Sequence, residues 1–164
     1  MTVVFPIRYV PTNLTKKDTK AQVNMLLKSK ALYKKHQYYT RKKMPSYKSR
    51  KSNHILNARR IYDIQTITPN QELSLKTGCS IDALKQIVKK GEGAYYSSGS
   101  RPNQTAQSWG LARLASAITG GKSAAVDYDI LTNGCNHKKK AFMLANKSRR
   151  KYKYGHSPSR KRHL

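Results

Sequence analysis

Apolar positions recur at three- and four-residue intervals in four places along the chain, and each set marks one face of a helix. The first set, Val23, Leu26, Leu27 and Ala31, predicts a helix from 15 to about 33. Thr15 is its N-cap, and Asp18 stands where a capping-box carboxylate reaches back. The second set, Ile81, Leu84, Ile87 and Val88, follows a capping Ser80, has Asp82 in its first turn and Lys89 and Lys90 in its last, and is terminated by Gly91. Leu111, Leu114, Ala115 and Ile118 form the stripe of a third helix over residues 106–119, capped by Thr105 and ended by Gly120. Val126, Ile130 and Leu131 predict one more short helix over 123–132, closed by Asn133 and Gly134. Period-two alternation is rarer. Residues 61–67, IYDIQTI, read as a short strand turned by Pro69 and Asn70, and residues 2–10, around Pro6, read as an edge strand or extended arm.

Composition changes this picture by limiting the core. Only 37% of the 164 residues are hydrophobic, against about 45–50% in an ordinary globular protein, so the chain suits one domain without a large apolar interior. The formal charge is +27, unevenly distributed. Residues 1–60 hold 16 Lys and Arg with one acid, Asp18; residues 61–137 hold seven with six acids; residues 138–164 hold 11 with none. The expected fold class is therefore mainly α with a short strand or two: a small helical domain flanked by extended basic arms. Its three parts are a basic N-terminal arm with one amphipathic helix (1–60), a compact mainly helical domain (61–137) and a basic C-terminal tail (138–164). Positive charge at this density repels itself unless an anion is near. Nucleic-acid phosphate, an anionic membrane surface and acidic protein patches all meet that need.

The arms supply the candidate contact residues. In the first, Tyr38, Tyr39 and Tyr47 alternate with Arg41, Lys42, Lys43, Lys48, Arg50 and Lys51, and Pro45 breaks any helix. Lys34 and Lys35 precede this run, and Arg59 and Arg60 follow it. In the tail the cations are Lys138, Lys139, Lys140, Arg149, Arg150, Lys151, Arg160, Lys161 and Arg162. Rings stack on unpaired bases while cations follow phosphates, which suits a single-stranded nucleic-acid groove. Tyr and Arg are also favoured at protein interfaces, and the sequence leaves both readings open.

Residues 92–104 form a polar stretch that follows Gly91 and contains Gly93 and Gly99. Neither the phosphate-loop order ending in Lys-Ser/Thr nor G-x-G-x-x-G is present, so Tyr95, Tyr96, Arg101 and Asn103, with Trp109 at the start of the next helix, are read as a structural loop. About fifteen residues separate the two longer central helices, too many for a helix-turn-helix reader. Cys79 and Cys135 do not make a disulfide framework, and the expectation is free or buried thiols in a reducing compartment. Cys135, His137, Cys79 and His54 lack the paired close spacings of a zinc site. The carboxylates, including Asp127 and Asp129, suggest no acid-base pair, and no nucleophile with its base and orienting group stands out. No catalytic residue, metal, cofactor or small-molecule substrate is expected. The N-terminal stretch is too short and interrupted for a signal peptide, so the triplets at Asn13, Asn103 and Asn146 carry no weight as glycosylation sites.

Several blocks together resemble a known family. These are PxxLTKKDxKxQ from Pro11 to Gln22, SKxLYKK from Ser29 to Lys35, YTRKK from Tyr39 to Lys43, SxxSxHxxxARxIY from Ser49 to Tyr62, and GAYYSSGSRPNQTAQSWGLARLASAITGGKSAAVD from Gly93 to Asp127. Over residues 9–136 the chain resembles an uncharacterised small basic protein family of large double-stranded DNA viruses, of the chlorella-virus and mimivirus type. The resemblance implies a virus-encoded virion protein and brings no catalytic residues with it. Joined to the charge layout, it leads to the expectation of a non-enzymatic minor capsid protein. Such a protein would use its arms to cross-link the inner face of the major capsid lattice. Its partners would be the major capsid protein and other minor capsid proteins, with viral DNA and the inner viral membrane as further anionic surfaces. Its location would be the virion, and the host cytoplasm during assembly. The alternative is a sequence-independent viral DNA-binding and condensing protein.

Overall fold

Eight helices and one two-stranded antiparallel sheet make up the regular structure in a computed structural model that describes residues 2–49, 51–155 and 159–164. In chain order the elements are β1 (Val4–Pro6), α1 (Lys16–Tyr33), α2 (Asn53–Tyr62), α3 (Gln71–Thr77), α4 (Ile81–Ser97), α5 (Ala106–Ile118), α6 (Lys122–Val126), α7 (Tyr128–Gly134), α8 (Lys140–Tyr152) and β2 (Lys161–His163). The chain is mainly α, as its periodicity predicts. It divides into two compact units: a terminal unit of Met1–Arg50, Glu92–Trp109 and Pro158–Leu164, and a cystine unit of Lys51–Gly91 and Gly110–Ser157. The expected boundaries at 60/61 and 137/138 are not those of the structure. Both basic flanks contribute regular elements, because each holds enough apolar positions to anchor one.

The cystine unit carries most of the apolar interior. Leu84, Ile87 and Val88 of α4 meet Leu114, Ala115 and Ile118 of α5, with Ala58 and Tyr62 of α2, Leu73 of α3, Leu131 of α7 and Ala141, Phe142 and Ala145 of α8. Here α4 and α5 approach closely, since a Cβ on Gly91 would stand 2.6 Å from the Gly110 Cα. Gly91 is thus a packing glycine. It was expected to stop α4, but the helix runs on to Ser97. Tyr62 donates to the Ile118 carbonyl, and burial pushes its phenol pKa up. Cys79 and Cys135 form a disulfide with an S–S distance of 2.06 Å, next to a local β-bridge between the same residues. This corrects the expectation of free thiols: 56 residues of separation hid a pairing that the fold brings together.

Other departures have local causes. The segment read as a strand over 61–67 begins as the end of α2, where Ser52 caps the helix and Asp63 closes it in a left-handed conformation at φ +48°. Its isoleucines are three apart, and Ile64 and Ile67 are buried in the core beyond that cap. Helix α3 was not expected, although Asn70 caps it by accepting from the Leu73 amide and Gly78 ends it at φ +79°. The helix expected over 123–132 is two, α6 and α7, meeting at Asp127. The basic tail contains α8, whose Ala141, Phe142, Ala145 and Ser148 are buried at helical spacing.

In the terminal unit β1 pairs with β2 antiparallel, Phe5 opposite Arg162. Two small clusters support it: Phe5, Tyr9, Val10 and Leu26, with Trp109 at their side, and Leu14, Met25 and Met44, flanked by Tyr39 and Tyr47. Among the described residues, no helix is long and apolar enough to cross a membrane.

Candidate polyanion surface

Residues 37–49 contain no helix or strand, yet they are fixed in the terminal unit at three points. The first is Arg41. Its backbone amide donates to the Tyr95 hydroxyl at 2.9 Å. Its Nη1 donates to the Tyr95 carbonyl at 2.9 Å and to Ser29 Oγ at 3.1 Å, and its Nη2 donates to Ser100 Oγ at 2.8 Å. The guanidinium lies 3.8 Å from the centroid of the Tyr95 ring. Tyr95 is fully buried, on the last turn of α4, and Ser29, on α1, donates its own hydrogen bond to the Tyr96 carbonyl at 3.1 Å. Burying a cation without acceptors is costly. Here three neutral oxygens and an aromatic face replace its water. Burial lowers the Arg41 pKa from the ordinary value, but a guanidinium starts so high that it stays charged.

Asn103 is the second point. It sits in the left-handed region at φ +65°, where Asn is tolerated better than most residues. Its Oδ1 accepts from the Met44 amide, and its Nδ2 donates to the carbonyls of Met44 and Tyr47 at 3.3 Å and to Ser49 Oγ at 3.0 Å. At the third point Ser46 stands between Thr15 and Asp18, so that the carboxylate does not itself reach back to the Thr15 amide as the expected capping box would have it. Its amide and hydroxyl both donate to Asp18 Oδ2, and its Oγ accepts from the Thr15 amide at 3.2 Å. Thr15 Oγ1 accepts from the Asp18 amide as a capping residue should. The Ser46 hydroxyl, then its amide, holds the Asp18 carboxyl below the usual carboxylate range.

With the backbone fixed in this way, the cations are sorted. The terminal unit has 17 Lys and Arg and two acids, a formal +15. Of the 16 that lie among the described residues, twelve are exposed, among them Lys34, Lys35, Lys42, Lys43, Lys48, Arg101, Arg160 and Lys161. No ion pair is found in this unit among the described residues, and the two salt bridges found among the described residues both belong to Asp127 of the cystine unit. Arg41, expected to contact a partner, is instead an internal anchor. Arg162 also acts within the fold, its Nη1 donating to the carbonyls of Val10 at 3.0 Å and Pro11 at 2.8 Å. Arg50 lies outside the described residues.

The cystine unit holds the rest of the expected contact residues. Lys51 and Arg60 are exposed, Arg59 is half-buried, and Lys138, Lys139 and Lys140 are exposed at the start of α8. Arg149, Arg150 and Lys151 occupy the last turn of α8, where positive charge suits the carbonyl end of a helix. Arg149 lies over the rings of Tyr128 at 4.6 Å and Tyr154 at 5.1 Å.

The loop residues divide. Tyr95 and Tyr96 lie on α4, Arg101 is exposed, and Trp109 packs edge-on against Tyr9 at 6.3 Å. A feature absent from the expected set is a line of tyrosine rings: Tyr33 to Tyr38 at 6.2 Å, Tyr38 to Tyr96 at 5.1 Å and Tyr96 to Tyr95 at 5.1 Å. Its members come from α1, the segment after it and α4, so no single sequence window displays it. Among the described residues, no group of three or more His, Cys, Asp or Glu is placed to hold a metal.

The chain belongs to the family of unknown function DUF5824, whose model matches residues 6–134. That span includes Arg41, Asn103, the Asp18–Ser46 contact and the tyrosine line, and it excludes α8 and β2. No curated protein and no solved structure matches the chain.

Proposed function

We propose that this protein is a non-enzymatic, sequence-independent nucleic-acid-binding protein of a large DNA virus particle. The observation that carries the reading is the sorting of charge in the terminal unit: 12 of its 16 described cations face solvent on a hydrogen-bonded framework with no ion pair among its described residues. Such a surface binds phosphate through release of condensed counterions and asks nothing of base sequence. The viral setting rests on the resemblance carried by residues 93–127 and the blocks before them.

Binding of the full chain to a mixed-sequence duplex, measured across a salt series, tests this. About six neutralised phosphates would give a log–log slope near −5, from roughly −0.9 per phosphate. A flat salt response, or no binding at physiological salt, would remove the reading.

The second reading is a minor capsid protein that ties the major capsid protein to its neighbours, with the inner viral membrane as a further surface. The same resemblance supports it, together with tyrosines and arginines of the kind enriched at interfaces. The tether form of this reading needs extended arms, and residues 37–49 are pinned at Arg41, Met44 and Ser46 instead. Cross-linking in nuclease-treated particles separates the readings: capsid adducts that survive nuclease favour the second.

A further inference from the structure

We propose that Tyr33, Tyr38 and Tyr96 form a stacking ledge for the unpaired bases of a single strand, which would make single-stranded nucleic acid a preferred ligand of the cationic surface. This inference rests on the nucleic-acid reading above and narrows it.

Burial does not explain the ledge. Tyr38 is 68% exposed although its ring stands 5.1 Å from Tyr96 and 6.2 Å from Tyr33, which is itself 36% exposed. An aromatic side chain held between two neighbours with most of its surface in water contributes little to a core, but it offers a face to an incoming π-system. The ring is also held firmly in sequence, because Arg41, three residues on, is anchored by four hydrogen bonds. Lys34, Lys35 and Lys42 are exposed in the same stretch of chain and supply charge for the phosphates between bases.

A second observation concerns Gly93, inside α4. Glycine destabilises a helix interior relative to alanine, so a helical glycine needs a reason. Two residues earlier, Gly91 has one, since a Cβ there would strike the Gly110 backbone at 2.6 Å. Gly93 has none within the fold: a Cβ would meet only the Tyr33 hydroxyl, at 4.0 Å. The bare helix surface beside Tyr33 is therefore free for something outside the chain to approach. A duplex keeps its base faces stacked internally and cannot use exposed rings; unpaired bases can.

The test compares the full chain binding a thymidine oligonucleotide of about 30 nucleotides with a duplex of equal length. Tyr38→Ala is expected to weaken the single strand about tenfold, in keeping with the loss of one base–aromatic stack, and to leave the duplex within about twofold. Tyr38→Phe keeps the ring and should retain affinity. Gly93→Leu, whose Cβ would meet only the Tyr33 hydroxyl at 4.0 Å and which a helix favours over glycine, should also weaken the single strand while thermal stability holds or rises. The ledge is overturned if both Tyr38→Ala and Gly93→Leu leave single-strand affinity unchanged, or if they weaken duplex and single strand alike. In either case a steep salt slope on duplex leaves the broader nucleic-acid reading standing. If the unaltered protein binds neither form, both readings fall together.

Discussion

In the cystine unit, the buried Asp127 is met by two cations: Arg113 gives it paired hydrogen bonds at 2.8 and 2.7 Å, and Lys90 stands 3.5 Å away. In the terminal unit, the buried Arg41 is met by two serine hydroxyls, a carbonyl and a tyrosine ring, with no carboxylate at all. The difference follows from supply. With two acids to seventeen cations, and Asp18 already taken up by Ser46, the terminal unit has almost no anion to spare for a buried guanidinium. Apolar burial differs in the same direction. Nineteen buried residues form one cluster in the cystine unit, while the terminal unit has clusters of four and three. One unit is held by hydrophobic packing and a covalent link, the other by polar contacts that fix a charged chain without neutralising it.

The sharpest way to break that comparison is the covalent link. Closing a loop with a sequence separation of 56 restricts the unfolded chain, so reduction should cost about 4 kcal/mol by the loop-entropy relation. Urea unfolding followed by far-ultraviolet circular dichroism, with and without a thiol reductant, reads this. An unchanged midpoint would mean that the cystine contributes nothing to the unit named for it.

Next in size is Arg41→Ala, which removes three side-chain donors and leaves Ser29, Ser100 and the Tyr95 carbonyl with acceptors to satisfy. A loss of about 3 kcal/mol is expected. Trp109, the only tryptophan, lies in the terminal unit beside Tyr9, so its fluorescence should report this transition directly. Arg41→Lys should rescue little, because an ammonium lacks the planar fork that spans Ser29 and Ser100. Full rescue by lysine would reduce the anchor to a simple point charge.

The smallest effect concerns acid. The folded Asp18 carboxyl has a depressed pKa, so its contribution is fully present above the ordinary carboxyl value of about 4 and is lost as pH falls through the lower folded value. The Trp109 signal should therefore show a loosening in that acid window that Ser46→Ala largely abolishes. A window of the same size in Ser46→Ala would show that Asp18 is stabilised by something other than Ser46.

Much of this was legible in the chain. The three-four spacing located α4 and α5; it located α1 but not its inward face, since Leu27 and Ala31 are exposed while Gln22, Met25, Leu26 and Ser29 are buried, and Thr15, Ser80 and Thr105 cap or precede the three helices as their side chains dictate. Asn70 and Gly78 were equally clear signals for α3 once that short segment is considered as a helix. Gly91 misled because one residue type serves two purposes: glycine ends a helix by turning left-handed, and it also lets two helices approach. Only the second is used here.

The sequence by itself determined the helical class, the excess of cations and their gathering at both ends, because periodicity and charge are local properties that need no partner to be read. Tertiary structure alone decided which arginine turns inward, which glycine is for packing, which cysteines meet and which tyrosines form a line. Each of those depends on residues from separate elements arriving at the same place: Arg41 on Tyr95 and Ser100, Gly91 on Gly110, Cys79 on Cys135, and Tyr38 on Tyr33 and Tyr96. A one-dimensional pattern records what a residue can do, and the contact that selects among those options exists only once the chain has folded.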